Sequence, residues 1–147
     1  MAAASIEALG DERLNWLRDL PRTQVHGPVA LVHAASDSLW RAPGPDAPDA
    51  KLERTYSPLG RPIAVYAHVH CPFIRLLSGM TVANTGSVSM SYDGDRRASY
   101  LLLDGEVPTI RRVEYDVEQE ILAMTDSGFP HAEWMARVLR SARPQMP

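Results

Sequence analysis

Between Asp11 and Leu20, apolar Leu14, Trp16, Leu17 and Leu20 recur at mostly helical spacing, and Pro21 is placed to stop the run. This predicts an amphipathic helix packed by one face. Two strands follow around Gly27, Thr23–His26 and Pro28–His33, the second almost wholly apolar and therefore interior, with His33 at its end. Residues 35–48 hold three prolines and a glycine and read as a loop long enough to cover a site, after which Asp49 is placed to cap a short helix through Tyr56. Pro62–Tyr66 is another apolar strand. Shorter strands are predicted at Phe73–Leu77, Thr81–Asn84, Ala98–Leu103 and Thr109–Tyr115, with Asp104-Gly105-Glu106 as a hairpin turn. The middle of the chain thus reads as a sheet built largely of hairpins. From Val117 the period returns to helical, with Ile121, Leu122 and Met124 in one segment. After Gly128 and Pro130, Trp134, Met135, Val138 and Leu139 form another.

Length and composition narrow the class. The 147 residues, 45% hydrophobic and 22% charged, suit one globular domain spanning 1–147 with a single modest core. A formal net charge of −3 gives no reason to expect nucleic acid. Cys71 is the only cysteine, so no intramolecular disulfide can form, and a reducing cytoplasm is the expected compartment. Met1 to Leu9 lacks the layout of an export signal, and no stretch approaches the roughly 20 apolar residues that span a bilayer, so no membrane association is expected.

The chemistry concentrates at Tyr66-Ala67-His68-Val69-His70, where a hydrophobic strand ends in a His-x-His turn. Neutral imidazole binds borderline divalent cations, and a short turn fixes the direction of each ring. In an extended backbone His68 and His70 face opposite ways, which suits two neighbouring ions better than one. Taken alone, the pair is equally consistent with chance at a strand end. Cys71 is a possible substitute ligand, although a small buried hydrophobe is its plainer reading. His26 and His131 read as surface or capping residues, and Trp16, Trp40 and Trp134 as packing residues. Asn84 and Ser87 serve either to line a site or to form a tight turn, and Arg41 and Arg54 are candidates to meet a phosphate, with solvated surface the simpler alternative.

The ordered set Ala67-His68-Val69-His70, Pro72, Asn84-Thr85-Gly86-Ser87, Asp93-Gly94-Asp95 and Ala98-Ser99-Tyr100 resembles the C-terminal signature of the calcineurin-like metallophosphoesterases, especially their small bacterial phosphodiesterase branch. Upstream, Glu12–Pro21 resembles the helix ending in Leu-Pro that precedes a hairpin in that family, and Val29–Ala34 the strand ending in an isolated His ligand. The resemblance implies an α/β fold, part of a metallophosphoesterase α/β/β/α sandwich with mostly antiparallel strands and peripheral helices. It implies that His33 and His68 bind one divalent metal ion (manganese, iron or zinc) and His70 another.

The match covers only the second half of the family's domain. The Asp-x-His pair, the bridging Asp and the Asn-His-Asp/Glu element of the first half have no counterpart here, so no catalytic residue is assigned. Three neutral histidines can hold one zinc-like ion with open positions, but they do not offset the repulsion between two cations. Ala67 also stands where the family has Gly, which predicts strain if that position takes positive φ. The expected function is metal-dependent hydrolysis of a phosphomonoester or phosphodiester by a chain incomplete on its own, or alternatively a non-catalytic binding or scaffold role. The expected partners are a phosphoester substrate and either a second copy or a complementing N-terminal half.

Overall fold

The computed structural model describes residues 2–146, so Met1 and Pro147, the ends of the expected domain, lie outside the described residues. The first helix, α1 (Ala2–Asp19), begins well before the predicted Asp11 and is broken at Gly10 (φ 69°, ψ 169°), a conformation open to glycine. The predicted packing of its apolar face is not realised. Trp16 is 63% exposed, and Leu17 and Leu20 are also exposed.

Strands β1 (Thr23–His26) and β2 (Val29–Val32) form the expected hairpin about Gly27. They join β3 (Ile63–Tyr66), β4 (Phe73–Leu76) and β5 (Thr81–Asn84) in a five-stranded sheet of order β1-β2-β3-β5-β4. Hairpins occupy only its two edges. The centre is parallel, with β3 running alongside both β2 and β5. All four residues of β3 are buried, as a central strand covered on both faces requires.

The period-two alternation of β3 feeds two cores. On one face Ala64 and Tyr66 pack with Val32, Val82 and the buried Leu52 and Tyr56 of α2 (Asp49–Tyr56). Full burial of a side chain such as Leu52 contributes about 1.5–3 kcal/mol. On the other face Ile63 and Val65 pack with Val29 and Ala83 against Leu101 and Leu103 of a second, two-stranded sheet, β6 (Ala98–Asp104) and β7 (Val107–Val113). A third cluster joins α3 (Val117–Asp126) to α4 (Ala132–Ser141) through Val117, Ile121, Ala136 and Leu139. Helices thus lie outside strands, as the α/β expectation requires.

Capping departs from the reading in one place. Asp49 is the first residue inside α2, Pro48 takes the cap position without a side-chain bond, and the Asp49 carboxylate instead pairs with Arg75 at 3.1 Å. The cap of α3 is Asp116, which accepts from the amides of Glu118 and Gln119. His131, exposed as predicted, precedes α4 in a left-handed conformation (φ 65°).

Candidate metal centre

Because β2, β3 and β5 are parallel, their carboxyl ends lie on one edge of the sheet. Ligand sites in open α/β sheets form there. His33 follows β2, the turn Ala67–His70 follows β3, and Thr85-Gly86 follows β5. Backbone bonds lock the three connections together. The Ala67 amide donates to the His33 carbonyl at 3.2 Å, the Thr85 amide to the Tyr66 carbonyl at 3.0 Å, and the Tyr92 amide to the His70 carbonyl at 3.0 Å.

His33 and His68 meet side by side, with His33 Nε2 and His68 Nδ1 3.1 Å apart and ring planes at 71°. The other nitrogen of His68, Nε2, is 3.1 Å from the Trp40 carbonyl. A carbonyl only accepts, so Nε2 carries the proton and Nδ1 presents its lone pair. His70 points elsewhere. Its Nδ1 donates to the Met90 carbonyl at 2.8 Å, leaving Nε2 with the lone pair, and its ring stacks on Tyr92 with centroids 4.9 Å apart. Burial first, then the neighbouring charges of His68 and His70, hold the His33 imidazole below its ordinary pKa. The neutral, ligating form is therefore favoured.

This donor set can be tested against a divalent ion. Two nitrogens 3.1 Å apart, each about 2.0–2.1 Å from one ion, subtend roughly 95–100°, a workable angle for two ligands of one centre. The carbonyls behind His68 and His70 are the outer-shell partners that fix ring orientation in metal sites. The His33–His68 pair fits such an ion. The remainder of a coordination shell is not provided, since among the described residues no group of three or more His, Cys, Asp or Glu side chains is arranged to hold a metal.

Several residues weighed in the sequence take other positions. Ala67 is not in the positive-φ region, so the strain expected there falls instead on His70 (φ 56°). Cys71 is half-buried, and burial followed by the nearby Asp93 pushes its thiol pKa up, away from the thiolate a metal needs. Asn84, the last residue of β5, is fully buried with its side-chain oxygen accepting from the Gly86 amide, and the Ser87 hydroxyl accepts from the amide of Met90, the residue whose carbonyl meets His70, at 3.0 Å. Arg112 pairs with Asp93 and lies 3.6 Å from Asp95, bracing the loop that carries Tyr92. Arg41 and Arg54 are exposed. Trp134 packs with its indole N–H donating to the Gln145 carbonyl at 2.9 Å, whereas Trp40 is 81% exposed.

The sequence matches no family model and no curated protein. Among solved structures, a metallophosphoesterase from Sphaerobacter thermophilus superposes with a TM-score of 0.79 over 92% of this chain, at 23% identity. The chain has the metallophosphoesterase fold. A hypothetical protein from Pyrococcus horikoshii OT3 shares this fold with a TM-score of 0.76 over 90% of the chain, at 21% identity. The chain spans 65% of the length of the first neighbour and 55% of the second. The resemblance carried by the His-x-His turn and the motifs after it therefore holds at the level of the fold. No helix among the described residues is long and apolar enough to cross a membrane.

Proposed function

We propose that this chain is the histidine-bearing part of a metal-dependent phosphoester hydrolase, with His33 and His68 ligands to one divalent ion and His70 a ligand to a second. The observation that carries this reading is the 3.1 Å approach of His33 Nε2 to His68 Nδ1, with the far nitrogen of His68 tied to the Trp40 carbonyl. The sharing of a fold with the Sphaerobacter metallophosphoesterase supports it. An ion held there supplies Lewis-acid polarisation of a phosphoryl oxygen. The chain itself supplies imidazole nitrogens in fixed directions: Trp40 orients His68 through its carbonyl, and Met90 orients His70. Manganese, iron and zinc all suit imidazole. Turnover also calls for anionic ligands and a proton donor to the leaving oxygen, and among the described residues no group of three or more His, Cys, Asp or Glu side chains is arranged to hold a metal. The hydrolase is therefore complete only when a second polypeptide segment brings them, and the chain associates through its exposed apolar surface.

A non-catalytic binding role on the same fold is favoured by one observation: among the described residues no third His, Cys, Asp or Glu side chain joins His33 and His68 in a group arranged to hold a metal. Two measurements separate the readings. Calorimetric titration with Mn²⁺ and Zn²⁺ is expected to show an ion bound by the chain and at least tenfold weaker binding by His68→Ala. Hydrolysis of bis(4-nitrophenyl) phosphate with Mn²⁺ is expected to be slow and dependent on His68. Metal binding unaffected by His33→Ala and His68→Ala overturns the metal centre, whereas His68-dependent metal binding with no hydrolysis in any assembly selects the binding role.

A further inference from the structure

The connection from His33 to α2 has no helix or strand across residues 35–48, a length at which a compact domain usually places function. It is nevertheless fastened along its length by side chains from the core. The Tyr56 hydroxyl donates to the Ala34 carbonyl at 2.7 Å, Ser36 to the Thr55 carbonyl at 2.6 Å, and the Tyr66 hydroxyl to the Pro43 carbonyl at 2.5 Å. Arg75 donates to the carbonyls of Pro45 and Ala47. Between these anchors the loop closes on itself at Ser38. The Ala35 amide donates to the Ser38 carbonyl at 2.9 Å, and the Ser38 hydroxyl accepts from the amides of both Trp40 and Arg41, at 3.2 and 3.1 Å. A loop held in this way has little freedom left to fold its own side chains inward, and the Trp40 ring stays in water while the carbonyl of that residue accepts from His68.

The Arg41 amide and the Trp40 carbonyl belong to one planar trans peptide unit, in which N–H and C=O point in opposite directions. Ser38, holding the amide end of that unit, therefore turns its carbonyl end away, and there it meets His68 Nε2 at 3.1 Å. A neutral imidazole carries a single ring proton. With that proton on Nε2, His68 Nδ1 becomes an acceptor, 3.1 Å from His33 Nε2 and open to its N–H or to a cation. We propose that Ser38 is a positioning residue for the histidine pair: through the Trp40–Arg41 peptide it aims the carbonyl that keeps the His68 proton on Nε2, and so turns the Nδ1 lone pair toward His33. The Trp40 side chain takes no part in this, because its backbone alone makes the contact. The role deepens the metal-centre reading and, as far as ion affinity goes, rests on it.

Which nitrogen carries the proton is observable without turnover. The ¹⁵N-labelled chain, treated with a chelator, is held at about pH 8.5, above the ordinary imidazole range, and two-bond proton–nitrogen spectra report the tautomer of each ring. His33→Ala, His68→Ala and His70→Ala assign the rings. His70, whose Nδ1 donates to the Met90 carbonyl, is expected as the opposite tautomer and serves as the internal control. The wild type is expected to show His68 protonated on Nε2. In Ser38→Ala, His68 is expected as a mixture, since the net worth of one hydrogen bond corresponds to a population ratio of about two- to tenfold, with His70 unchanged. Ser38→Thr, which keeps the hydroxyl, and Trp40→Ala, which keeps the carbonyl, are expected to show the single tautomer of the wild type. His68 protonated on Nδ1 in the wild type overturns the positioning role whatever the variants do. So does a single Nε2 tautomer in Ser38→Ala, no recovery in Ser38→Thr, or a mixture in Trp40→Ala. By calorimetry, Ser38→Ala is expected to bind Zn²⁺ about tenfold more weakly than the wild type, and Trp40→Ala equally well. Failure of the metal centre looks different, because the tautomers then follow this pattern while Zn²⁺ binding is the same in the wild type, Ser38→Ala and His68→Ala.

Discussion

Asn84, the last residue of β5, donates its side-chain amide to the Ala67 carbonyl at 2.6 Å while its own side-chain oxygen accepts from the Gly86 amide at 2.9 Å. The Ala67 carbonyl also accepts from the His70 amide at 3.2 Å. One fully buried amide therefore ties the His-x-His turn to the loop after the neighbouring strand. Asn84→Ala strands the buried Gly86 amide and loosens the turn. It is expected to lower stability by about 1–3 kcal/mol and to weaken Mn²⁺ binding by about tenfold, the lower end for loss of an orienting partner. Denaturant titration and calorimetry of the folded variant check the two effects separately.

Gly86 and Gly60 have similar positive φ angles but different surroundings. A Cβ on Gly86 (φ 73°) would sit 2.7 Å from Ser99 Oγ and 2.9 Å from Pro72 Cβ, whereas one on Gly60 (φ 64°) meets nothing within 4 Å. Gly60→Ala is expected to cost about 1–2 kcal/mol from the left-handed backbone alone. Gly86→Ala is expected to cost a further 1–3 kcal/mol or so, because Ser99 and Pro72 must move. Equal urea midpoints for the two variants would contradict the close packing of the Asn84–Gly86 turn on β6.

Tyr66 predicts the alkaline limit of stability. Burial pushes its hydroxyl pKa up to about 12 in the folded protein, against about 10 when unfolded. A folded-state pKa above the unfolded one contributes stability that is complete below pH ~10 and is lost as the pH rises toward ~12. Burial raises Tyr56 as well, so the two act in the same direction. Guanidinium midpoints are expected to fall between pH 9.5 and 11.5. Tyr66→Phe should show a shallower fall from a lower starting value, because the Pro43 carbonyl loses its donor at a cost of about 1–3 kcal/mol.

The outer face of the β6–β7 hairpin carries Tyr100, Leu102, Val107 and Val113, all exposed and all on one side by the register Ala98↔Val113, Tyr100↔Arg111 and Leu102↔Thr109. An apolar sheet face beside unpaired strand edges favours association. The purified chain is expected to sediment above its monomer mass of 16.3 kDa, and Leu102→Glu to shift it toward the monomer. An unchanged distribution in Leu102→Glu would exclude this face as the contact.

Much of this architecture is legible in the residues. The strand Val29–Val32 ending at His33, the strand ending at Tyr66, and the start of α3 at Val117 follow from apolar runs and turn residues. The parallel centre does not, because a strand buried on both faces reads the same whichever way its neighbours run, and the connection 35–48 reads as a loop over a site rather than as part of a crossover. Ala67, marked for strain, is relaxed, while His70 bears the positive φ. Local sequence identifies a tight turn without saying which residue bends. His68 and His70 meet different partners, but through a turn with His70 in the left-handed region rather than through the extended backbone on which the alternation reading depends, and the Trp40 and Met90 carbonyls that aim them are unreadable in a sequence since any residue type offers a carbonyl. Trp40 was read as packing by residue type, and only the loop's anchoring shows why it stays outside.

Arg75 belongs to β4, an edge strand remote in sequence from His33, yet its guanidinium holds the carbonyls of Pro45 and Ala47. Edge strands open more readily than central ones, and local opening is graded across a structure. Each time β4 unzips from β5, the far end of the loop behind His68 loses its clamp while β2 and β3 stay paired. The order of the histidine pair is thereby coupled to an edge strand of the sheet, and amide exchange in β4 and in residues 35–48 should rise and fall together.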